Sequence, residues 1–491
     1  MSEKTELQRQ LNPMHVWAIA FGCIIGWGSF INPGKKFLPN SGVAGTAIAM
    51  VLGGIVMAII AFSYAYMIPK FPKAGGEFTF TKKCFGKQAA YICGWFLVAA
   101  YLTNVPMNST AIGLIVDGLD GNANILKWGF NYSIAGFEVY LGEIILAMSI
   151  LILFGVLNIL GVKKAGVVQT ILAILLVTSV LVLFISALIS SKAKLSNTLP
   201  VWGFDKKAAI AAFKDGTYQT ITPFAHKGSR GILSAILATF AIAPWAYVGF
   251  DTIPQAAEEF NFPYKKVMII MAIAIVFGCF VYTANNTIAA AALENWPDLI
   301  VEAQSTPWLL LAAAERLLGL PGKILVGVAV SCAVLSGIMG FYMASARLMY
   351  SMSLDGYLPS IFGKLDPKHG TPRNAMIFCI LVSLSGPILG REALGWFVDM
   401  SAIGASIGYF FTSASSLITQ KRDKDGNALI KVMAVIGIIF SLSFVVLQLI
   451  PIPGLSGVHF GKESYIMLAI WVAIGVVFYF TRSQKIDQRS K

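Results

Sequence analysis

Two short stretches of this sequence carry residue types that release backbone groups from a helix. The first is Gly22-Cys23-Ile24-Ile25-Gly26-Trp27-Gly28-Ser29-Phe30, closed by Pro33-Gly34. Three glycines in seven positions are a poor place for continuous helix, because each costs about 1 kcal/mol relative to alanine. The second is Ala243-Pro244-Trp245-Ala246-Tyr247-Val248-Gly249-Phe250-Asp251, followed by Pro254. Pro244 removes an amide donor and crowds the preceding turn. A break near Gly26–Gly28 exposes amides at the start of the following half-helix, where a carboxylate is favoured. A break near Trp245–Gly249 frees carbonyls at the end of a half-helix, and these accept from an ammonium. An α-amino acid carries both groups, so two such breaks together can hold one by backbone alone.

The elements that must position these breaks are set by composition. Of 491 residues, 57% are hydrophobic and only 12% are charged. The mean hydropathy is +0.73. Soluble domains run at roughly 45–50% apolar and about 25% charged, so this chain cannot cover a water-facing surface of its size. Disorder needs the opposite composition. The chain reads as an integral membrane protein. Its net charge of +13 sits mainly in short segments between apolar runs, which points to membrane orientation rather than nucleic acid. The six cysteines form no CxxC pair or Cys/His cluster, so neither a disulfide framework nor a metal site is expected. No HExxH or P-loop is present, so the expectation is a non-enzyme without a cofactor. The N-terminus has no cleavable signal pattern.

Twelve stretches lack Asp, Glu, Lys and Arg over a length that approaches or exceeds one bilayer crossing: 14–34, 37–69, 88–116, 144–162, 165–191, 231–250, 267–293, 324–346, 374–390, 400–420, 432–461 and 464–481. A crossing needs about 20 residues, and lipid leaves helix as the reasonable form for such runs. With the N-terminus inside, the inner connections hold 23 Lys and Arg and the outer ones 14, of which seven lie in the long connection 192–230. Long loops weigh little in this rule. Both termini are therefore expected in the cytoplasm, with the chain in the plasma (inner) membrane.

The two interrupted stretches fall in runs one and six, the first members of two five-helix halves. Interrupted helices at corresponding positions are the best pointer in a sequence to a transporter site. Run one travels outward and run six inward, so the halves would be inverted. The expectation is a single all-α domain over 1–491, with a first repeat at about 14–190, a second at about 231–420 and two extra helices at about 430–481.

These residues also carry a resemblance. The first stretch resembles the GxxIGxGxF signature of the amino acid–polyamine–organocation (APC) superfamily. Pro72-Lys73-Ala74-Gly75-Gly76-Glu77-Phe78 is similar to its P-x-AGG-x-aromatic inner loop. Trp245 through Glu258 resembles its sixth-helix pattern. Ser345-Ala346-Arg347, Asp355-Gly356-Tyr357-Leu358-Pro359 and Gly370-Thr371-Pro372 resemble the exit of its eighth helix and the loop beyond. Each motif is weak alone, and four in order across nearly the whole chain are specific. The resemblance implies the leucine-transporter-like 5+5 inverted repeat plus two helices, with helices one and six discontinuous. It places a substrate carboxylate on the amides of Trp27, Gly28 and Ser29 beside Gly26. It places the amine on the carbonyls of Ile24, Trp245 and Val248. Trp245 falls at the aromatic gate, Phe341 at a pocket wall and Asn104 where a polar residue often meets the substrate side chain.

There are departures from the family pattern. Position 27 is usually small, and here it is tryptophan. A lysine that many members carry seven residues after a glutamine is absent, since Gln169 leads to Leu176. Residues 118–142 hold no cysteine, so no disulfide-linked accessory subunit is expected.

Several residues keep two readings. Asp251 reads as a proton-coupling carboxylate or as the N-cap of an inner half-helix. Asn104 lines the pocket or makes an interhelical bond. Asp399 reads best as a solvated residue at the outer vestibule. Arg347, Glu258 and Glu259 read as an ion-pair latch or as solvated helix ends. The function expected is a secondary transporter moving amino acids, neutral ones by the lack of an unpaired acid or base in the pocket, by symport or exchange. An amine or polyamine carrier is the alternative within transport, and a substrate sensor without net transport is a distant one.

Overall fold

The computed structural model describes residues 7–120, 123–134, 137–218, 231–302, 308–391, 393–423, 426–452 and 459–489, with side chains of the last helix to residue 481. Its helices are α1 (Pro13–Ile24), α2 (Gly28–Asn32), α3 (Leu38–Lys70), α4 (Gly76–Phe85), α5 (Lys87–Leu119), α6 (Leu141–Ile159), α7 (Val162–Ile189), α8 (Lys206–Lys214) and α9 (Ile232–Phe240). There follow α10 (Ala243–Tyr247), α11 (Val267–Ala291), α12 (Trp296–Glu302), α13 (Leu309–Leu318), α14 (Leu320–Leu354), α15 (Arg373–Ser383), α16 (Ala393–Arg422), α17 (Ala428–Leu449) and α18 (Lys462–Arg489). A short antiparallel hairpin, Asn131–Ile134 with Phe137–Tyr140, lies in the connection between α5 and α6.

Among the described residues, nine helices are long and apolar enough to cross a membrane, or ten if α9 and Ala243–Glu259, bent by 47° where they meet, are one span. The first and ninth apolar runs form shorter helices, Pro13–Ile24 and Arg373–Leu389. The expected twelve is thus not reached by length alone. Run one stops at its glycines, and run nine tightens into a 3-10 turn at Pro387–Leu389. The expected connection between runs one and two is helical, because Pro33–Phe37 continues α2 into α3. The bend falls instead at Gly42, with φ +64. A side chain there would meet the Val201 carbonyl at 2.3 Å.

α1 begins on a firm cap. Asn12 accepts from the His15 amide at 2.8 Å and Pro13 occupies the first helical position, where a proline loses nothing because that amide has no partner in the helix. The core is built from α5 against α14 and α16, with α1 packed among α7, α11 and α14. α7, α17 and α18 bury little of themselves and turn Ile171, Ile439 and Ile470 outward. Such apolar faces suit lipid, not water.

Candidate functional site

Both interruptions are present, and they touch. α1 ends as the Ile25 amide bonds the Phe21 carbonyl at 2.9 Å, with Ile25 extended at φ −95 and ψ 97. Helix resumes at Gly28. Between them the amides of Gly26 and Trp27 meet no backbone acceptor among the described residues. Ser29 closes the turn, its amide and hydroxyl both reaching the Gly26 carbonyl, at 3.3 and 3.0 Å.

The second interruption follows α10. Val248 turns to ψ 121 and Gly249 to φ +148, a conformation essentially reserved for glycine. The chain then continues as a 3-10 helix over Phe250–Glu259. A side chain at Gly249 would strike the Ile24 amide nitrogen at 2.5 Å and the Ala20 carbonyl oxygen at 2.7 Å. Glycine at 249 is therefore what lets the two breaks approach.

Trp245 lies over the first break. A β-carbon at Gly28 would sit 2.3 Å from its ring, so that glycine is the seat of the indole. Trp27 packs beside it, with ring centroids 6.2 Å apart and planes at 54°. Both tryptophans are buried. The two rings close the break with apolar surface, and the tryptophan at 27 is a second slab of that cover.

The remaining expected residues are placed as follows. The Ile24 carbonyl accepts from Tyr282 at 3.3 Å, and the Trp245 carbonyl accepts from the Val248 amide at 3.3 Å. No backbone donor reaches the Val248 carbonyl among the described residues. Asn104 spends its amide on the Ala100 carbonyl and on Ser401 of α16, both at 2.6 Å, which is the interhelical bond. Phe341 stacks on Tyr101 with centroids 6.4 Å apart. Asp251 is fully buried and is not an N-cap, since Gly249 holds that position and donates its amide to Asp251 Oδ1 at 2.7 Å.

One open reading is decided and one expectation is corrected. Of the two readings of Arg347 and Glu259, the ion pair holds. They form a bidentate pair at 2.6 and 2.9 Å with side chains 3% and 1% exposed, and Glu258 alone stays near the surface, 3.9 Å from Lys73. Asp399 is half-buried and accepts from Ser464 at 2.6 Å, so it is not a freely solvated vestibule group. The connection 192–230 is described only to residue 218, so the remainder of that region lies outside the described residues.

Two site residues were not legible as such. Asn108, one turn beyond Asn104, donates to the Asn104 carbonyl at 2.8 Å. Its Oδ1 is buried without a partner and points at the first break, 3.3 Å from where a Gly26 β-carbon would stand. The i, i+4 spacing from Asn104 was the available signal. Glu77 is the other. Gly75 and Gly76, at φ +91 and +38, let the chain turn hard against Ser351 and Pro254, and so bring the first carboxylate of α4 beneath the second break. There Tyr64 and Tyr101 reach Glu77 Oε1 at 2.8 and 3.2 Å, and Gln255 reaches Oε2 at 2.6 Å.

The amino acid permease family matches residues 11–478. The chain belongs to the amino acid permease family. This places the permease in the APC superfamily, among integral, multi-pass membrane transporters of amino acids rather than enzymes. It is 24% identical to the methylthioribose transporter of Bacillus subtilis (strain 168), over 99% of this chain and 95% of that protein. It is also 24% identical to the branched-chain amino acid permease BcaP of the same organism, over the same shares. A large neutral amino acids transporter small subunit 2 of Mus musculus is 25% identical over 89% of this chain and 75% of its own length.

Proposed function

We propose that this permease moves neutral amino acids across the plasma membrane by alternating access, with both termini in the cytoplasm and the substrate held between the two breaks. The observation that carries this reading is the pair of backbone interruptions in contact, one offering the amides of Gly26 and Trp27 and the other the Val248 carbonyl. The carboxylate is held by the amides from Gly26 to Ser29, and the amine by carbonyls of Ile24, Trp245 and Val248. Trp245 is the gate, and it must swing off Gly28 before a ligand reaches those amides. Asn104 keeps its helices in register while Asn108 supplies the free acceptor, and Phe341 bounds the pocket. Asp251 is the coupling residue, buried at the second break with its charge engaged by backbone and tyrosine rather than by a substrate cation. That arrangement favours a neutral substrate over a polyamine, which needs carboxylates open to the pocket.

The test is uptake by the purified permease in liposomes against leucine, methionine, lysine, putrescine and methylthioribose. Transport of leucine or methionine, competed by neither putrescine nor methylthioribose, is expected. Trp245→Ala lowers that transport at least tenfold while the protein stays monodisperse. Near wild-type uptake removes Trp245 as the gate, and saturable uptake of putrescine or methylthioribose alone overturns the substrate assignment.

A further inference from the structure

The second break carries chemistry that the substrate does not use. Glu77 and Asp251 are both fully buried, they come from elements far apart in sequence, and they meet at one hydroxyl. Tyr101 Oη lies 3.2 Å from Glu77 Oε1, 3.2 Å from Asp251 Oδ2 and 3.0 Å from the Asp251 carbonyl oxygen. Tyr64 Oη lies 2.8 Å from the same Glu77 Oε1.

Hydrogen counting is decisive here. Tyr64 and Tyr101 bring one hydroxyl hydrogen each, whereas four close oxygen–oxygen approaches must be satisfied. Tyr64 covers one. Tyr101 can point its hydrogen well at only one of its three neighbours, and the peptide carbonyl has none to give back. With both carboxyls ionised, a tyrosine oxygen faces bare carboxylate lone pairs. A single carboxyl hydrogen on Asp251 Oδ2 or Glu77 Oε1, donated to Tyr101 Oη, brings the count to three hydrogens for the four approaches and relieves that oxygen of facing two bare carboxylates.

The charge environment agrees. Among the described residues, no lysine, arginine or histidine forms an ion pair with either carboxyl, and a buried pair of like charges cannot readily both ionise. The titratable groups facing the pair from the packed elements are Tyr64 of α3, Tyr101 and Cys93 of α5, Tyr409 of α16 and Cys23 of α1. None is a cation. On α14 the nearby cation, Arg347, is taken by Glu259, and on α4 Lys82 is taken by Asp355. Tyr409 has a buried hydroxyl without a partner, its ring stacked on Phe250 at 5.5 Å, so an unused donor stands beside the pair. Burial, and next the Asp251 charge, push the Glu77 carboxyl upward.

We propose that Glu77 and Asp251 together bind one exchangeable proton, bridged by Tyr101, and that this is the proton moved with substrate. The inference rests on the transport reading and names its coupling site. On release a carboxyl O–H bond breaks, the proton passes to water and the pair gains one negative charge. Because Gln255 and Asp251 both ride on the 3-10 segment that follows Gly249, that charge bears directly on the second break.

The experiment is an infrared pH titration of the full permease in liposomes, in water and in heavy water. The wild type is expected to show a deuterium-sensitive carboxylic acid band at neutral pH that disappears in alkali. Glu77→Gln and Asp251→Asn should each remove that band and lower the surviving carboxyl's midpoint by about one unit or more, the mark of interacting sites. Tyr101→Phe keeps both carboxyls and should shift the band. A band unchanged in Glu77→Gln, or a midpoint indifferent to loss of the partner, overturns the shared proton. In parallel, leucine accumulation driven by an imposed proton gradient is compared with leucine counterflow, and Glu77→Gln should lower the ratio of the two at least tenfold. Counterflow in the wild type with no gradient effect overturns the coupling role and leaves transport standing. Absence of counterflow for every amino acid tried overturns the transport reading itself, while the infrared result still decides whether the pair shares a proton.

Discussion

The two interruptions in this permease are alike in outline and opposite in content. At Gly26–Trp27 the backbone amides are vacant and the cover is apolar, two tryptophans lying over a glycine. At Val248–Gly249 the freed amide is taken by a carboxylate of the same chain, and that carboxylate is tied through tyrosine to a second one on α4. One break leaves its amides open, and the other is largely filled from within. A helix opened in lipid has to satisfy its backbone somewhere, and here the two openings do so differently. The first leaves the amides of Gly26 and Trp27 without a backbone acceptor among the described residues, and the second gives its freed amide to Asp251.

Substitutions at single positions separate these roles. Gly249→Ala carries the largest expected effect. The new methyl meets backbone atoms of α1 that cannot swing aside, and the positive φ adds about 1–3 kcal/mol of strain. Thermal unfolding in detergent should fall markedly and uptake should be lost, and a protein of unchanged stability would show that the two breaks do not bear on each other. Gly28→Ala comes next. Its methyl meets the edge of the Trp245 ring and, at 3.0 Å, the Asn32 side-chain nitrogen, both on side chains that can rotate, so stability should change little while KM rises about tenfold. Equal losses of stability in both variants would erase the distinction between the breaks. Asn108→Ala is the smallest. It removes one free acceptor facing Gly26 and one hydrogen bond of about 1 kcal/mol, which predicts a fewfold rise in KM for the amino acid and no change in gradient dependence. A change in gradient dependence instead would assign coupling to the first break.

The long apolar runs, the two places where helix fails and the tryptophan just before the second of them were all legible along the chain. Glycine density, a proline without an amide to give and a run of residues without charge are local properties, and they act wherever the chain goes. Asn104 shows where that reading thins. A polar residue mid-helix is equally suited to a pocket or to a neighbouring helix, and only the position of Ser401 on α16 decided that its amide is spent between helices. Arg347 and Glu259 at the edges of apolar runs read equally as an ion pair or as solvated ends, and the packing of α14 against the 3-10 segment decided for the buried pair.

Sequence by itself determined that this chain lives in a bilayer, that two of its helices break, and which backbone groups those breaks release. Tertiary structure alone decided that the breaks touch, that Trp245 closes on Gly28, and that Glu77 reaches Asp251 across more than a hundred and seventy residues of chain. The reason is physical. Whether a helix can persist is settled within a few residues by dihedral freedom and available amides, whereas a shared hydroxyl between two carboxyls exists only once distant elements have packed at a distance of about 3 Å.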